Sequence, residues 1–299
     1  MLLAAFQAPL AARAADWAQF RGPASNSVVA ASEGPADWDL DKMIAWKVEL
    51  PGRGPSSPIV VGDRIFVTAS SGTAQDRLHV LCFDAADGKR RWERQFWATG
   101  RTITHPQSAN AAPTPASDGR SVFAFFSSND LAALDLEGNL LWYRGLALDY
   151  PRIGNDAGMS SSPLVIDDVV IVQTESLGGA LVVGIDARDG STRWRDDREK
   201  NSSWTSPIRS QYAPTGAPAA LVQSVNRLDC LDPTSGKQLW SYSAACDGIS
   251  SACTAGGLIF LPSQGITALR STAGKPEPEI VWKSNQLQPG AASPVVAEG

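Results

Sequence analysis

The ten residues Ile185–Trp194, "IDARDGSTRW", decide the fold, because they recur. "FDAADGKRRW" ends at Trp92, "LDLEGNLLW" at Trp142 and "LDPTSGKQLW" at Trp240. In each, a Gly stands four residues before the Trp (Gly88, Gly138, Gly190, Gly236). An Asp stands a few residues before that Gly (Asp84, Asp135, Asp186, Asp232). "ALRSTAGKPEPEIVW", ending at Trp282, is a degenerate copy with a longer turn, and "MIAWKVEL" around Trp46 keeps the last part alone. Asp can cap its own turn, and Gly takes the positive φ that a tight hairpin needs. The Trp is an apolar plate suited to wedging between neighbouring units.

A second phrase keeps step with the first. "SSPIVVGDRIFVTAS" begins at Ser56, "AAPTPASDGRSVFAFFSS" at Ala111, "SSPLVIDDVVIVQTE" at Ser161, "TSPIRSQYAPTGAPAALVQS" at Thr205 and "SSACTAGGLIFLPSQ" at Ser250. Each unit therefore predicts four short strands: one after the Ser-Pro, one after a Gly/Asp turn such as Gly62-Asp63, one ending at the Asp, and one carrying the Trp. The apolar runs are continuous, as in strands buried on both faces. A repeat of about 40–50 residues with four strands per unit predicts an all-β propeller, whose blades bury each other's faces.

A sixth copy of the second phrase opens at Ala292, "ASPVVAEG", and predicts the first strand of another blade. Trp46 predicts the last strand of a blade whose other strands do not precede it. The expectation is five blades plus the start of a sixth, in a ring cut short at its C-terminal side, with the propeller running over 46–299 behind an arm over 16–45.

The chain has 299 residues, 26 basic and 31 acidic, for a net charge of −5. Such a surface offers no general attraction to phosphate backbones, so no nucleic-acid partner is expected. No apolar run is long enough to span a bilayer. Residues 1–15 are Ala/Leu-rich, and Ala12-Arg13-Ala14 fits a small-x-small cleavage site, which predicts a signal peptide and a periplasmic or other extracytoplasmic location. No Cys lies near that point, so no lipid anchor is expected.

The repeat resembles the pyrroloquinoline-quinone (PQQ) type propeller repeat of quinoprotein dehydrogenases and of the propeller lipoprotein of outer-membrane assembly. "DWAQFRGPASNS" at Asp16–Ser27 looks like the N-terminal signature of exported bacterial PQQ-like propellers. The resemblance implies an eight-bladed ring when complete. In the oxidoreductases it implies PQQ with Ca²⁺ held by oxygen ligands, a carboxylate base and, in alcohol-oxidising members, adjacent cysteines. Here Cys82, Cys230, Cys246 and Cys253 are not adjacent. Cys82 and Cys230 share a slot that holds Ala133, Gly184 and Ala268 elsewhere, and read as small core residues. Whether Cys246 and Cys253 pair is open. No catalytic residue, metal site or resident cofactor is expected.

Four residues are candidates for a ligand or partner surface. His105 lies in the long connection "TGRTITHPQSANAAPTP", and Arg152, Asn155 and Asp156 lie in "LDYPRIGNDAGMSSSP" at Leu148–Pro163. The competing reading is a loop whose polar groups satisfy its own backbone. His79 reads as structural. "KRRWERQFW" and "RDDREK" read as solvated charged faces, and Trp97 and Trp204 as packing between blades. The expected function is a non-catalytic exported platform for a protein or small ligand. The alternatives are a PQQ-dependent oxidoreductase and an outer-membrane assembly scaffold.

Overall fold

The computed structural model describes residues 16–29, 39, 43–154 and 156–296. They form five four-stranded antiparallel sheets, each with its strands paired in chain order. Blade 1 comprises Ile59–Val61, Arg64–Ser71, Arg77–Asp84 and Arg90–Trp97. Blade 2 runs from Ala116–Ser117 to Leu140–Gly145, blade 3 from Leu164–Ile166 to Thr192–Asp197, blade 4 from Ile208–Ser210 to Gln238–Ser243, and blade 5 from Cys253–Ala255 to Glu279–Ser284. A one-turn helix, Leu146–Asp149, follows blade 2. The middle strands are the core: all seven residues of Val169–Glu175 and all seven of Ala180–Asp186 are buried.

The Asp/Gly/Trp phrase builds the joint between blades. Asp186 accepts hydrogen bonds from the Arg188 backbone N–H (2.9 Å), and its own carbonyl accepts from Gly190 N (2.9 Å). That turn then receives the Trp of the blade before it. A Cβ on Gly88, Gly138, Gly190 or Gly236 would lie 2.5–2.7 Å from the ring of Trp46, Trp92, Trp142 or Trp194. The indole N–H of Trp92 donates to Leu136 O (2.9 Å), that of Trp142 to Ala187 O (3.0 Å) and that of Trp194 to Pro233 O (2.8 Å), so Trp142 and Trp194 are buried, and Trp92 half-buried, without leaving a donor unpaired. Within its own blade the Trp lies opposite Cys82, Ala133, Gly184, Cys230 or Ala268, beside a bulge in every case. A Cβ on Gly184 would come within 2.2 Å of Trp194, which explains the small-residue slot.

The Ser-Pro phrase has a matching role at the inner strands. Ser57 N donates to Thr114 Oγ1, Thr114 N to Ser162 Oγ, Ser162 N to Ser206 Oγ, Ser206 N to Ser251 Oγ and Ser251 N to Ser293 Oγ, all at 2.9–3.0 Å. The hydroxyl of each unit thus satisfies the backbone of the unit before it. Ser293 takes its place in this relay, but Pro294–Val296 form no strand, against the expectation of an opening sixth strand; residues 297–299 lie outside the described residues. Trp46 docks on Gly88 without belonging to a strand.

The segment from Asp16 ties several blades together. Trp17 exchanges backbone hydrogen bonds with Val60 (2.9 and 3.0 Å), and Ala18 O accepts from Ser117 N (2.7 Å). Ser25 Oγ accepts from Arg209 N (3.2 Å), and Arg21 donates to Ala252 O (3.3 Å) and to Pro294 O. Blades 1, 2, 4 and 5 are all touched. The expected signal peptide, residues 1–15, lies outside the described residues. No helix among the described residues is long and apolar enough to cross a membrane.

Candidate functional site

Strand direction sorts the connections onto two faces. The Asp-x-x-x-Gly turns lie on one face, together with the turns after each inner strand. The long inter-blade connections lie on the other. These connections brace one another: His105 N donates to Ala157 O (2.7 Å), Met159 N to Ser127 Oγ (2.7 Å), Trp204 Nε1 to Gly158 O (2.5 Å) and Arg53 Nη2 to Pro106 O (2.7 Å). Two loops far apart in sequence, around His105 and around Ala157, therefore meet.

The four candidates fare differently. Asp156 Oδ2 accepts from Leu177 N (2.9 Å) and Ser202 Oγ (2.5 Å), so its carboxylate is spent on fixing loops. His105 is exposed, and its Nδ1 accepts from the nearby Gln107 N (3.2 Å). Asn155 lies outside the described residues. Arg152 is exposed and has no hydrogen-bond or ion-pair partner among the described residues. It lines a cleft of about 380 Å³ between the segment leaving blade 2 and the outer strand of blade 3. Tyr150, Ile153 and Leu181 contribute apolar lining to that cleft, and Arg195 and Lys200 line it as well. The Arg195 guanidinium lies 5.0 Å from the centre of the Tyr150 ring.

Behind the cleft lies a buried charge cluster. Arg198, which also lines the cleft, follows the outer strand of blade 3. It pairs with Asp229 on the third strand of blade 4, with Asp196 (3.0 Å) and with Glu175 (3.4 Å). Its Nη2 also donates to Ser224 Oγ (2.8 Å), which donates in turn to Glu175 Oε1 (2.6 Å). The reading of "RDDREK" as a solvated face holds for most of the run and fails at Arg198, whose side chain is 1 % exposed. Burial works against its charge, but Asp229 and Glu175 beside it hold its pKa above the ordinary value. Burial pushes Glu175 up, against the Ser224 hydrogen bond and the Arg198 charge.

The repeat shows how unusual these positions are. Asp229 occupies the slot of Leu81, Ala132, Val183 and Thr267, the residue before the one opposite the Trp. Arg198, four residues after its Trp, falls where the other blades hold Phe96, Leu146, Ala244 and Gln286. An acid in an otherwise apolar or small slot of the repeat was a signal available in the sequence.

The other polar residues on this face are engaged in the same way. Gln173 Nε2 donates to Gln223 O (2.7 Å), and Gln223 Nε2 donates to Asp247 O (2.7 Å) and Ser250 O (2.9 Å), linking blades 3, 4 and 5. His79 lies between Ser71 Oγ (2.7 Å) and Glu93 Oε1 (2.8 Å), a structural role. All four cysteines are free thiols, so Cys246 and Cys253 do not pair. Burial pushes Cys82 up to about 11 and Cys230 up to about 12, as expected of core residues. Trp204 braces two connections, whereas Trp97 is 60 % exposed beside Arg77.

A calcium-bound quinone is a group that this fold can imply. Calcium takes about six to eight oxygen ligands. Among the described residues no three His, Cys, Asp or Glu side chains gather as a metal-holding group. The buried carboxylate oxygens without a hydrogen bond, Glu175 Oε2 and Asp229 Oδ1, belong to side chains already paired with Arg198, so a cation is in place there. The described donor set does not fit the group.

Comparison with known proteins places these observations in a family. The model described as outer membrane protein assembly factor BamB matches residues 21–157 and 152–262. BamB from Moraxella catarrhalis is similar in structure, with a TM-score of 0.54 and 20 % identity over 81 % of this chain and 66 % of that one. The quinohemoprotein alcohol dehydrogenase of Comamonas testosteroni has a TM-score of 0.60 and 16 % identity, over 88 % of this chain and 48 % of that one. The quinohemoprotein alcohol dehydrogenase ADHIIG of Pseudomonas putida HK5 has a TM-score of 0.54 and 15 % identity, over 79 % and 43 %. The chain thus spans about half to two thirds of the length of these structures. No curated protein sequence matches it.

Proposed function

The chain belongs to the PQQ-like propeller family of the outer membrane protein assembly factor BamB, and from this premise we propose that it is a non-catalytic, exported platform binding a protein or ligand on its long-connection face. The observation that carries this reading is the cross-bracing of that face. The hydrogen bonds from His105 N to Ala157 O and from Trp204 Nε1 to Gly158 O hold loops from successive blades in one arrangement. A surface ordered before binding loses less entropy when it binds. The polar groups there are engaged with one another, which suits recognition by shape and by a few free charges. An assembly role in the outer membrane is the form of platform that the family description suggests. The domain division expected above, with a cleaved leader at 1–15, belongs to the same proposal.

The test uses the full chain. A photo-crosslinking residue at Ile103, exposed on the long-connection face, is expected to capture one defined partner in the periplasm. The same residue at Lys89, on an opposite-face turn, is expected to capture none. Capture from Lys89 alone would overturn the choice of face. Turnover of alcohols or sugars with PQQ, calcium and an electron acceptor, or stoichiometric PQQ binding, would overturn the non-catalytic reading.

A further inference from the structure

We propose that Ser71 on blade 1 is an acylation site, a nucleophile that takes up one acyl group from a thioester or an aryl ester. Ser71 ends the second strand of blade 1, His79 lies on the third and Glu93 on the fourth. Ser71 Oγ is 2.7 Å from His79 Nε2, and His79 Nδ1 is 2.8 Å from Glu93 Oε1. A carboxylate can only accept, so Nδ1 carries the ring proton, and Nε2 of the neutral ring is left to accept from the Ser71 hydroxyl. Arg90 fixes Glu93 in turn, at its other oxygen. A nucleophile, a base within hydrogen-bond reach and a third group orienting that base together activate a serine. These bonds fasten three strands, and their order also makes Ser71 a nucleophile.

Among the five blades this arrangement is peculiar to blade 1. Ser71 stands five residues after Phe66, which pairs with Cys82, the small residue opposite the Trp. Ser128 and Ser176 hold the same place after Phe123 and Ile171. Ser128 Oγ donates to Asp130 and Ser176 Oγ to Gly179 O, so neither has an imidazole behind it. The slot of His79 holds Asp130, Leu181, Arg227 and Gly265 in the other blades. Ser71 is half-buried at the start of a hairpin on the long-connection face, and Gly72, Thr73 and Ala74 beyond it are exposed. Gly52 packs against it without a side chain; a Cβ there would come within 2.9 Å of the Ser71 Cβ.

The surroundings select the acyl donor. The N–H of Gly72, next in the chain, has no partner among the described residues, but a Cβ on Gly72 would lie 2.8 Å from Asp76 Oδ1. An oxyanion forming beside a carboxylate gains little, so the donor must carry a good leaving group. In the step, the Ser71 O–H bond breaks and its oxygen bonds to the acyl carbon. The bond from that carbon to the thiolate or phenolate breaks, and the proton passes through His79 Nε2 to the leaving group. The product is an alkyl ester, whose own leaving group is poor. The same weak oxyanion support leaves it uncleaved, so the chain takes up one acyl group without turnover. The site goes beyond the platform reading and does not depend on it.

Incubation of the full chain with p-nitrophenyl acetate tests the inference. A burst of one nitrophenolate per chain is expected, with the acetyl group mapped to Ser71 by peptide mass analysis. Ser71→Ala should lose the burst, and His79→Gln should slow it about 10²-fold. Glu93 is a positioning residue: Glu93→Gln should slow the burst by a smaller factor, and Glu93→Asp should recover part of the loss. A merely structural role for Glu93 would move the thermal midpoint and leave the burst rate of the folded protein unchanged. If His79→Gln does not fold, Ser71→Ala and the two Glu93 variants decide. Acetylation of lysines or other serines as fast as Ser71 would overturn the inference. So would an unchanged burst in folded Ser71→Ala or His79→Gln, or nitrophenolate release continuing beyond one equivalent above the rate of the unfolded chain.

Discussion

Arg198 of blade 3 and Asp229 of blade 4 form an ion pair whose side chains are 1 % and 0 % exposed. Each stands at a repeat position where the other blades carry no charged residue. Arg198 is the cation that Glu175 shares with Asp229, and removing it leaves the buried Glu175 without its counterion, a change that typically costs about 3–5 kcal/mol. Arg198→Met is therefore expected to lower the urea midpoint strongly. Replacing the set together, as E175L/R198M/D229L, should restore most of that loss. A loss below about 1 kcal/mol for Arg198→Met would show that water reaches the cluster.

Glu175 sets a pH dependence. Burial raises its folded pKa above the unfolded value, so the folded state holds this proton more tightly. Its contribution is fully present below the unfolded carboxylate pKa and is lost as pH rises through the folded value. Wild-type stability should decline across that window, and Glu175→Gln should flatten the decline. Urea melts at successive pH values measure it, and parallel profiles would contradict the assignment.

Gly138 and Gly119 separate space from backbone conformation. Both have positive φ, 86° and 85°. A Cβ on Gly138 would sit 2.6 Å from the Trp92 ring, whereas nothing lies within 4 Å of one on Gly119. Gly119→Ala should cost about 1–2 kcal/mol for the left-handed conformation alone. Gly138→Ala should cost about 1–3 kcal/mol more, because Trp92 must move. Equal losses would mean that the docked ring shifts freely.

Ser162 Oγ accepts the backbone N–H of Thr114 in the inner relay. Ser162→Ala leaves that donor buried and unpaired, a loss of about 1–3 kcal/mol by chemical denaturation. Ser162→Thr keeps the hydroxyl and should recover most of it. If both variants behave alike, the relay contributes through packing.

The blades were legible because they repeat: an Asp, a Gly and a Trp at constant offsets state the turn, the docking site and the plate that fills it. The Ser-Pro phrase was legible as a marker, but its role in satisfying the neighbouring unit was not, and Thr114-Pro115 belongs to it as fully as Ser162-Pro163. The site was legible in part. Arg152 was a candidate and lines the cleft, whereas Asp156 proved to be a loop fastener, because Leu177 and Ser202 reach it from other connections. Arg198 looked like one solvated charge among several in "RDDREK".

By itself, then, the amino-acid order determined the unit: four strands, their turns, and the small residue that each Trp demands. These depend on neighbours within one repeat, where spacing along the chain is spacing in the sheet. Which charges are buried and which stay free was decided by tertiary structure alone. Arg198, Glu175 and Asp229 come from three separate segments of two blades. No local pattern states that their side chains meet, because the distance between blades is set by how the Trp plates seat on the next turn.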